Sequence, residues 1–289
     1  MRNRRGFTLV ELMIGMIIML VVTGAVYKLL TTTQRLSRAQ AERTDLQSNV
    51  RTTSIVVPNE LREINTVEGS AIASQNDILA ASGTSITYRA MRGMGYVCQS
   101  PTSTDLRITK STFDGTRTPV AGRDSAYVFM EGADPDQGSD DTWQPVPISA
   151  VDPNSTCGAT AAYKFTINPS VATLTAANVP VGTPVRVYEV MQLSLYANGG
   201  QSWLGARSVS ANEASQPVLG PLVSGTGLSF EYLDKNAGNS MGTLNGVKTV
   251  RMTVRGITDD AIVTGASSAM AHVQDSLVSE VQLRNAFRP

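Results

Sequence analysis

MRNRRGFTLVELMIGMIIML, residues 1–20, decides how the rest of this chain is read. Three arginines, Arg2, Arg4 and Arg5, precede Gly6, and an apolar run follows with one acid, Glu11, near its start. Leu12 to Val26 carries no charged residue. From Phe7 to Leu30 the run is about 24 residues, roughly 36 Å as an α-helix, enough to cross a hydrocarbon layer of about 30 Å. The basic start places the N-terminus in the cytoplasm and the remainder across the membrane. An ordinary secretory signal shares this pattern, with Val22-Thr23-Gly24 as small-residue cleavage positions, and so does a plain signal anchor. A lipoprotein does not fit, because no cysteine follows the apolar run. None of these readings accounts for Glu11. A charged side chain inside a bilayer costs at least about 2.5–3.5 kcal/mol and usually marks function.

Arg4-Arg5-Gly6-Phe7-Thr8-Leu9-Val10-Glu11-Leu12 resembles the leader junction of type IV pilins and type II secretion pseudopilins. The resemblance implies a prepilin peptidase that cuts between Gly6 and Phe7 and then N-methylates Phe7. It also implies an assembly role for Glu11, the fifth residue of the mature chain. Cleavage leaves a positive amine at Phe7, beside a helix N-terminus that is itself positive. An unpaired amine there is costly in an apolar setting. The Glu11 carboxylate, about one turn on, offsets that amine within its own chain or on a neighbour. In the family it pairs with the next subunit and sets axial register. Loss of the three leader arginines leaves 21 basic against 24 acidic side chains.

Beyond Leu30 the sequence predicts that the helix continues. Leu36, Ala39, Arg43, Leu46, Val50, Thr53, Val57, Leu61 and Ile64 are spaced by three or four, and seven of the nine are apolar. Polar residues such as Arg35, Arg38, Glu42 and Gln47 fill the other faces, so this half is amphipathic. One helix from Phe7 to about Ile64 is expected, with a kink or restart at Pro58, which lacks the N–H for the Ser54 carbonyl.

From about Thr66 the pattern changes to short β-like runs between turn residues. Strands are expected at Ser85–Met91, Asp105–Thr109, Ala126–Met130, Tyr163–Ile167, Val185–Tyr196, Trp203–Ser208, Gly227–Leu233, Val247–Val254 and Leu277–Leu283. The fold class is α+β: a type IV pilin-like long N-terminal helix packed on an antiparallel β-sheet head. The expected division is a leader at 1–6, a transmembrane or fibre-core helix at 7–30, its amphipathic continuation at 31–64 and a β-rich head at 65–289. Gln47-Ser48-Asn49-Val50-Arg51, Glu60-Leu61-Arg62, Leu204-Gly205-Ala206-Arg207, Leu228-Ser229-Phe230-Glu231-Tyr232 and the closing Val281-Gln282-Leu283-Arg284-Asn285 resemble PilW-type minor pilins. That resemblance is looser and covers about half the chain. It implies a non-enzymatic subunit that primes fibre assembly and sits at the pilus tip, serving adhesion and twitching motility. The implied partners are the major pilin, other minor pilins, a PilY-type tip adhesin, the prepilin peptidase and the inner-membrane assembly platform. A type II secretion pseudopilin is the second reading. A membrane-tethered or secreted β-rich enzyme is the third.

Chemistry is sparse in the rest of the sequence. The chain has 289 residues, with 24 Lys and Arg against 24 Asp and Glu, so nothing in its charge calls for nucleic acid. Its one histidine, His272, narrows the options for zinc sites and Ser-His-Asp triads and reads as a turn residue. No P-loop, G-x-S-x-G, G-x-G-x-x-G or H-E-x-x-H pattern is present, and no catalytic residue or cofactor is expected. Asp134, Asp136 and Asp140 stand about Gly138 in a weak calcium-loop pattern, without the closing glutamate of an EF-hand, and otherwise read as a solvated acidic loop. Cys98 and Cys157 allow one intramolecular bridge in a head outside the cytoplasm. Two free thiols are the alternative. Trp143 and Trp203 are expected in buried or half-buried packing, with exposed aromatic contacts as the alternative.

Overall fold

A computed structural model describes residues 8–66, 76–132, 134, 136, 141–236, 238, 244, 246–264 and 269–283. Helix α1 (Leu9–Leu61) has 53 residues, about 80 Å of helix. Thr8 caps its N-terminus, and no proline interrupts the run before Pro58. Thr31, Thr32 and Thr33 would otherwise weaken the helix where it turns polar. Their hydroxyls donate back to the carbonyls of Lys28, Lys28 and Leu29 at 2.8–3.0 Å. Pro58 neither restarts nor ends the helix: α1 runs one turn beyond it, closed by the Arg62 N–H on the Pro58 carbonyl at 3.0 Å. A proline this near the C-terminus removes one bond from a turn that has few left to lose. Ile64 lies past the helix end but remains buried.

The head holds fifteen strands among the described residues. Strands β2 (Ser85–Thr102) and β8 (Pro184–Asn198) are long and paired antiparallel from Ser85↔Ser194 to Tyr96↔Pro184. The far half of β2 pairs with β3 (Asp105–Thr109), which pairs with β7 (Thr160–Ile167). Strand β7 pairs with β6 (Thr142–Cys157), β6 with β5 (Asp124–Met130), and β5 returns to β8. These pairings close a six-stranded ring. Its interior holds Val97, Leu106, Ile108, Val128, Phe165 and Val187, all buried.

The near halves of β2 and β8 belong to a second, open sheet. Strand β1 (Ile78–Ser82) flanks β2, and β9 (Gln201–Ser208) takes the place of β5 beside β8. Strand β10 (Gln216–Leu222) follows, meeting β12 (Thr249–Ile257) at Leu222↔Gly256. Strand β12 lies between β11 (Leu228–Leu233) and β15 (Gln274–Gln282). Helix α1 packs its second half on this sheet, where Val57, Leu61 and Ile64 join Tyr88, Phe230, Tyr232, Met252 and Val254 in one core. Two short pieces complete the head: β4 (Asp114–Gly115) on β2, and a hairpin of β13 (Ile262–Val263) and β14 (Met270–Ala271).

Every strand expected from the sequence falls on an observed strand, and the sequence reading misses others. The largest miss is the 16-residue β6, whose Pro145, Pro147 and Pro153 read as turn residues. Strand β6 changes partner along its length: Thr142–Pro147 pairs with β5, and Ile148 onward with β7. The first two prolines lie in the part paired on one side, and Pro153 lies in a bulge between Asp152 and Ser155. Those are the positions at which a strand tolerates a missing donor.

Candidate assembly surface

The N-terminal turn of α1 is held by a reciprocal capping box. The Thr8 backbone N–H and hydroxyl donate to Glu11 Oε2 at 2.9 and 3.1 Å, and the Glu11 N–H donates to Thr8 Oγ1 at 3.3 Å. Glu11 thus has a local task that the sequence reading missed, although Thr-x-x-Glu before an apolar run is its signature. The capping box keeps the carboxylate against the positive end of the helix. Gly6, Phe7 and the arginines at 2, 4 and 5 lie outside the described residues.

From Leu9 to Leu30 no side chain of α1 touches the head, and every described position is exposed. The large apolar side chains there run from 49% exposed at Val26 to 75% at Leu20. This is the one helix among the described residues long and apolar enough to cross a membrane. Contact with the head begins at Ala39 and continues through Leu46, Val50, Thr53 and Val57. Leu36, also in the expected stripe, stays exposed because it precedes the contact, and Arg43 is exposed because Glu42, its neighbour, is the residue of that turn that faces the head. Gly256 of β12 sets the spacing: a Cβ there would stand 2.6 Å from both Leu46 Cδ1 and Val50 Cγ2. Polar bonds fix the docking. Asn49 donates to the Gly220 carbonyl at 2.8 Å, and Glu42 Oε2 accepts from the backbone N–H groups of Asp259 and Asp260.

Besides Asp124, two buried acids sit where these parts join. Glu189 lies on β8 where β5 gives way to β9, and ladder bonding alone leaves a gap there. Arg92, Arg117 and Arg123 converge on it at 2.9, 3.1 and 2.6 Å. Arg117 also grips buried Asp124 through two bonds of 2.6 Å, and Arg92 reaches Glu60 of α1 at 3.6 Å. Burial would raise the Glu189 carboxyl. Hydrogen bonds from Ser208, Arg92, Arg123 and Arg117 outweigh that and hold it at about 2. The second acid is Asp77. Its Oδ2 accepts from the Asn65 N–H at 2.8 Å, its own N–H donates to the Asn65 carbonyl, and its Oδ1 has no hydrogen-bond partner among the described residues. Burial pushes this carboxyl from 3.8 to about 6, opposed by the Asn65 N–H and by Arg89 and Arg186.

Other residues singled out in the sequence are scattered. Cys98 of β2 and Cys157 of β6 form a disulfide, Cα–Cα 5.9 Å, on the ring and away from the helix. Asp134 Oδ1 accepts from the Asp136 N–H at 3.1 Å in a local turn, and Asp140 lies outside the described residues. No group of three metal-ligating side chains occurs among the described residues. His272 is an exposed turn residue with Nδ1 2.9 Å from the Thr258 carbonyl. Trp143 is half-buried against Phe129 and under Arg186, and Trp203 is half-buried beside Gly220.

Comparison with known families bears on the first turns of α1. The prokaryotic N-terminal methylation motif matches residues 1–27. That motif supports a type IV pilin-like or pseudopilin-like protein. No curated protein and no solved structure matches the chain. The motif implies processing by a prepilin peptidase and assembly with pilus components. The exposed apolar helix is compatible with membrane anchoring and with incorporation into a pilus. One long helix followed by an antiparallel head fits pilin-like architecture.

Proposed function

We propose that this chain is a minor pilin of a type IV pilus, similar to PilW. It would be cut between Gly6 and Phe7, held in the inner membrane by residues 7–30, and assembled with other minor pilins to prime the fibre and occupy its tip. The observation that carries this reading is the bare half of α1. More than thirty ångströms of apolar helix stand clear of their own head, behind a methylation motif, with a carboxylate fixed at the N-terminal end. Such a surface has to be buried by something outside the chain, first lipid and then neighbouring helices. In this reading Glu11 meets the Phe7 amine of a neighbour, and the major pilin, sister minor pilins and a PilY-type adhesin are the partners. The head carries specificity, and catalysis has no part in the role.

Processing gives the first test. Mass spectrometry of the N-terminal peptide from membranes should find a chain that begins at N-methyl-Phe7, and Gly6→Ala should abolish that species. A mature terminus at Ala25, or only uncut Met1, would refute the reading.

A further inference from the structure

Between α1 and the β13–β14 hairpin runs a groove of about 760 Å³, lined by Arg35, Arg38, Ile262 and Met270 and also by two acids, Glu42 and Asp260, which meet through the Asp260 N–H about one turn of α1 beyond Arg38. We propose that this groove rests on the membrane surface and takes the headgroups of anionic phospholipids before the subunit enters a fibre. The inference rests on the membrane-anchored reading above.

Position along the helix is the first argument. Leu9–Leu30 spans about 33 Å, one hydrocarbon thickness, and the headgroup layer adds about 5–7 Å on each side. Arg35 lies five residues past Leu30, and Arg38 one turn farther on nearly the same face. Side chains of a helix lean toward its N-terminus, here toward the bilayer, and a long arginine can extend its guanidinium back to the phosphates. The β13–β14 hairpin faces this turn of the helix across the groove, just before Ala39, the first residue that α1 buries.

Charge is the second argument. Arg35 and Arg38 are exposed and form no ion pair or side-chain hydrogen bond among the described residues. Arg43 and Arg51, farther along α1, are likewise without an ion pair among the described residues, whereas Arg92, Arg107, Arg117, Arg123 and Arg251 of the head form ion pairs, so it is position beside the membrane that sets Arg35 and Arg38 apart. Glu42 is the acid nearest to them in sequence, and its Oε2 is engaged by the Asp259 and Asp260 N–H groups. Apolar contact is the third argument. Met270 is 63% exposed at the groove's rim, where a flexible thioether can enter the boundary between headgroups and acyl chains. Unpaired cations over an apolar lip match an anionic interface in both polarity and order.

The test uses the full chain in lipid nanodiscs, with a fluorophore on Met270→Cys. The native cysteines are joined to each other and do not compete for the label. Quenchers are carried on lipid headgroups or within acyl chains, in discs of phosphatidylcholine alone or with phosphatidylglycerol. Headgroup quenching should be strong with phosphatidylglycerol and weak without it. Arg35→Gln with Arg38→Gln should cut it to less than about half, because each basic side chain at an anionic surface supplies roughly a fivefold bias. A parallel label on Leu20→Cys reports the anchor. If acyl-chain quenchers fail to reach Leu20, the membrane reading itself falls. If they reach it while Met270 stays unquenched, or is quenched equally in phosphatidylcholine or in the double variant, the headgroup site is wrong. Quenching that appears only when several copies share a disc would assign the groove to a second copy and also overturn the proposal.

Discussion

Glu11 combines two tasks that a single substitution can separate. Its carboxylate closes the capping box with Thr8, and in the proposed assembly it also answers a neighbour's amine. Glutamine can close a capping box but carries no charge. Glu11→Gln should therefore keep the first turn of α1 and still lower incorporation into fibres, whereas Glu11→Ala should lose both. The comparison is made on processed protein at equal level, by circular dichroism of the N-terminal peptide in micelles and by co-purification with sister minor pilins. Equal assembly of Glu11→Gln and wild type would remove the amine-pairing role. Asp77 presents the opposite balance, a charge the fold tolerates poorly. Its carboxyl is raised above its ordinary value, so the charged form is disfavoured in the folded state. Stability at this site is greatest at low pH and is lost as pH rises through about 6. Asp77→Asn keeps an acceptor for the Asn65 N–H without the charge. It should stabilise the head by about 3 kcal/mol at pH 8, by about 1 kcal/mol at pH 4.5 and hardly at all below pH 3. Equal unfolding temperatures for the two proteins at pH 8 would show that Asp77 is solvated or paired. Thr8 was legible in the sequence through its spacing from Glu11. Asp77 and Glu189 were not, because their partners lie 12 residues away in one case and up to 97 in the other.

At the scale of elements, α1 is read from sequence almost whole, and the reason is its period. Residues three and four apart must share a face, so Leu46, Val50, Val57 and Leu61 announce a contact before any sheet is known. Where that contact starts is set by the head, and Leu36 accordingly falls outside it, while at the next turn Glu42 faces the head instead of Arg43. Strands were legible where an apolar run holds no proline, as in β8, which was read although it exchanges β5 for β9 along its length. Strands β6 and β10 hid behind prolines, because sequence alone does not reveal that a strand changes neighbours or bulges at those points. The crossing of α1 over β12 is the least legible contact of all, since Gly256 leaves no side chain to read. Its missing Cβ lets Leu46 and Val50 approach the strand. Leucine can swing its terminal methyl aside, but valine is stiff at χ1. Gly256→Ala should therefore lift the helix locally and destabilise the head by about 1–3 kcal/mol, the usual cost of overpacking. Hydrogen exchange should quicken in β12 and in α1 around Val50 and hardly at all in β3 or β7. Unchanged exchange at Val50 would mean that the helix is set by its polar bonds to Gly220 and Asp259 instead.

For the whole molecule, the division of the head into a helix-bearing sheet and a closed ring leads to a prediction about its disulfide. Strands β2 and β8 run through both parts, and Glu189 fills the place where their neighbours change. Cys98 and Cys157 lie only on the ring, tying β2 to the end of β6 although β3 and β7 stand between them in the strand order. A bridge across 59 residues of sequence removes loop entropy from the unfolded chain worth about 4 kcal/mol in the chain-entropy account. That stabilisation should be felt where the bridge sits. The head buries one set of apolar side chains inside the ring and another beneath α1, and few residues belong to both. Cys98→Ser with Cys157→Ser should therefore loosen β3, β6 and β7 while β12 and β15 keep their protection and α1 stays docked. Hydrogen exchange resolved by strand is the measurement, with assembly of the same variant followed in parallel. Preferential loss in the ring, with near-normal incorporation, would place the assembly contacts on the helix and its sheet and leave the ring for contacts away from the fibre. If β12 and β15 lose protection as much as β3 and β7, the head unfolds as one unit. The charge cluster around Glu189 then couples the two halves, and reducing the bridge should release the helix from the head and stop assembly as well.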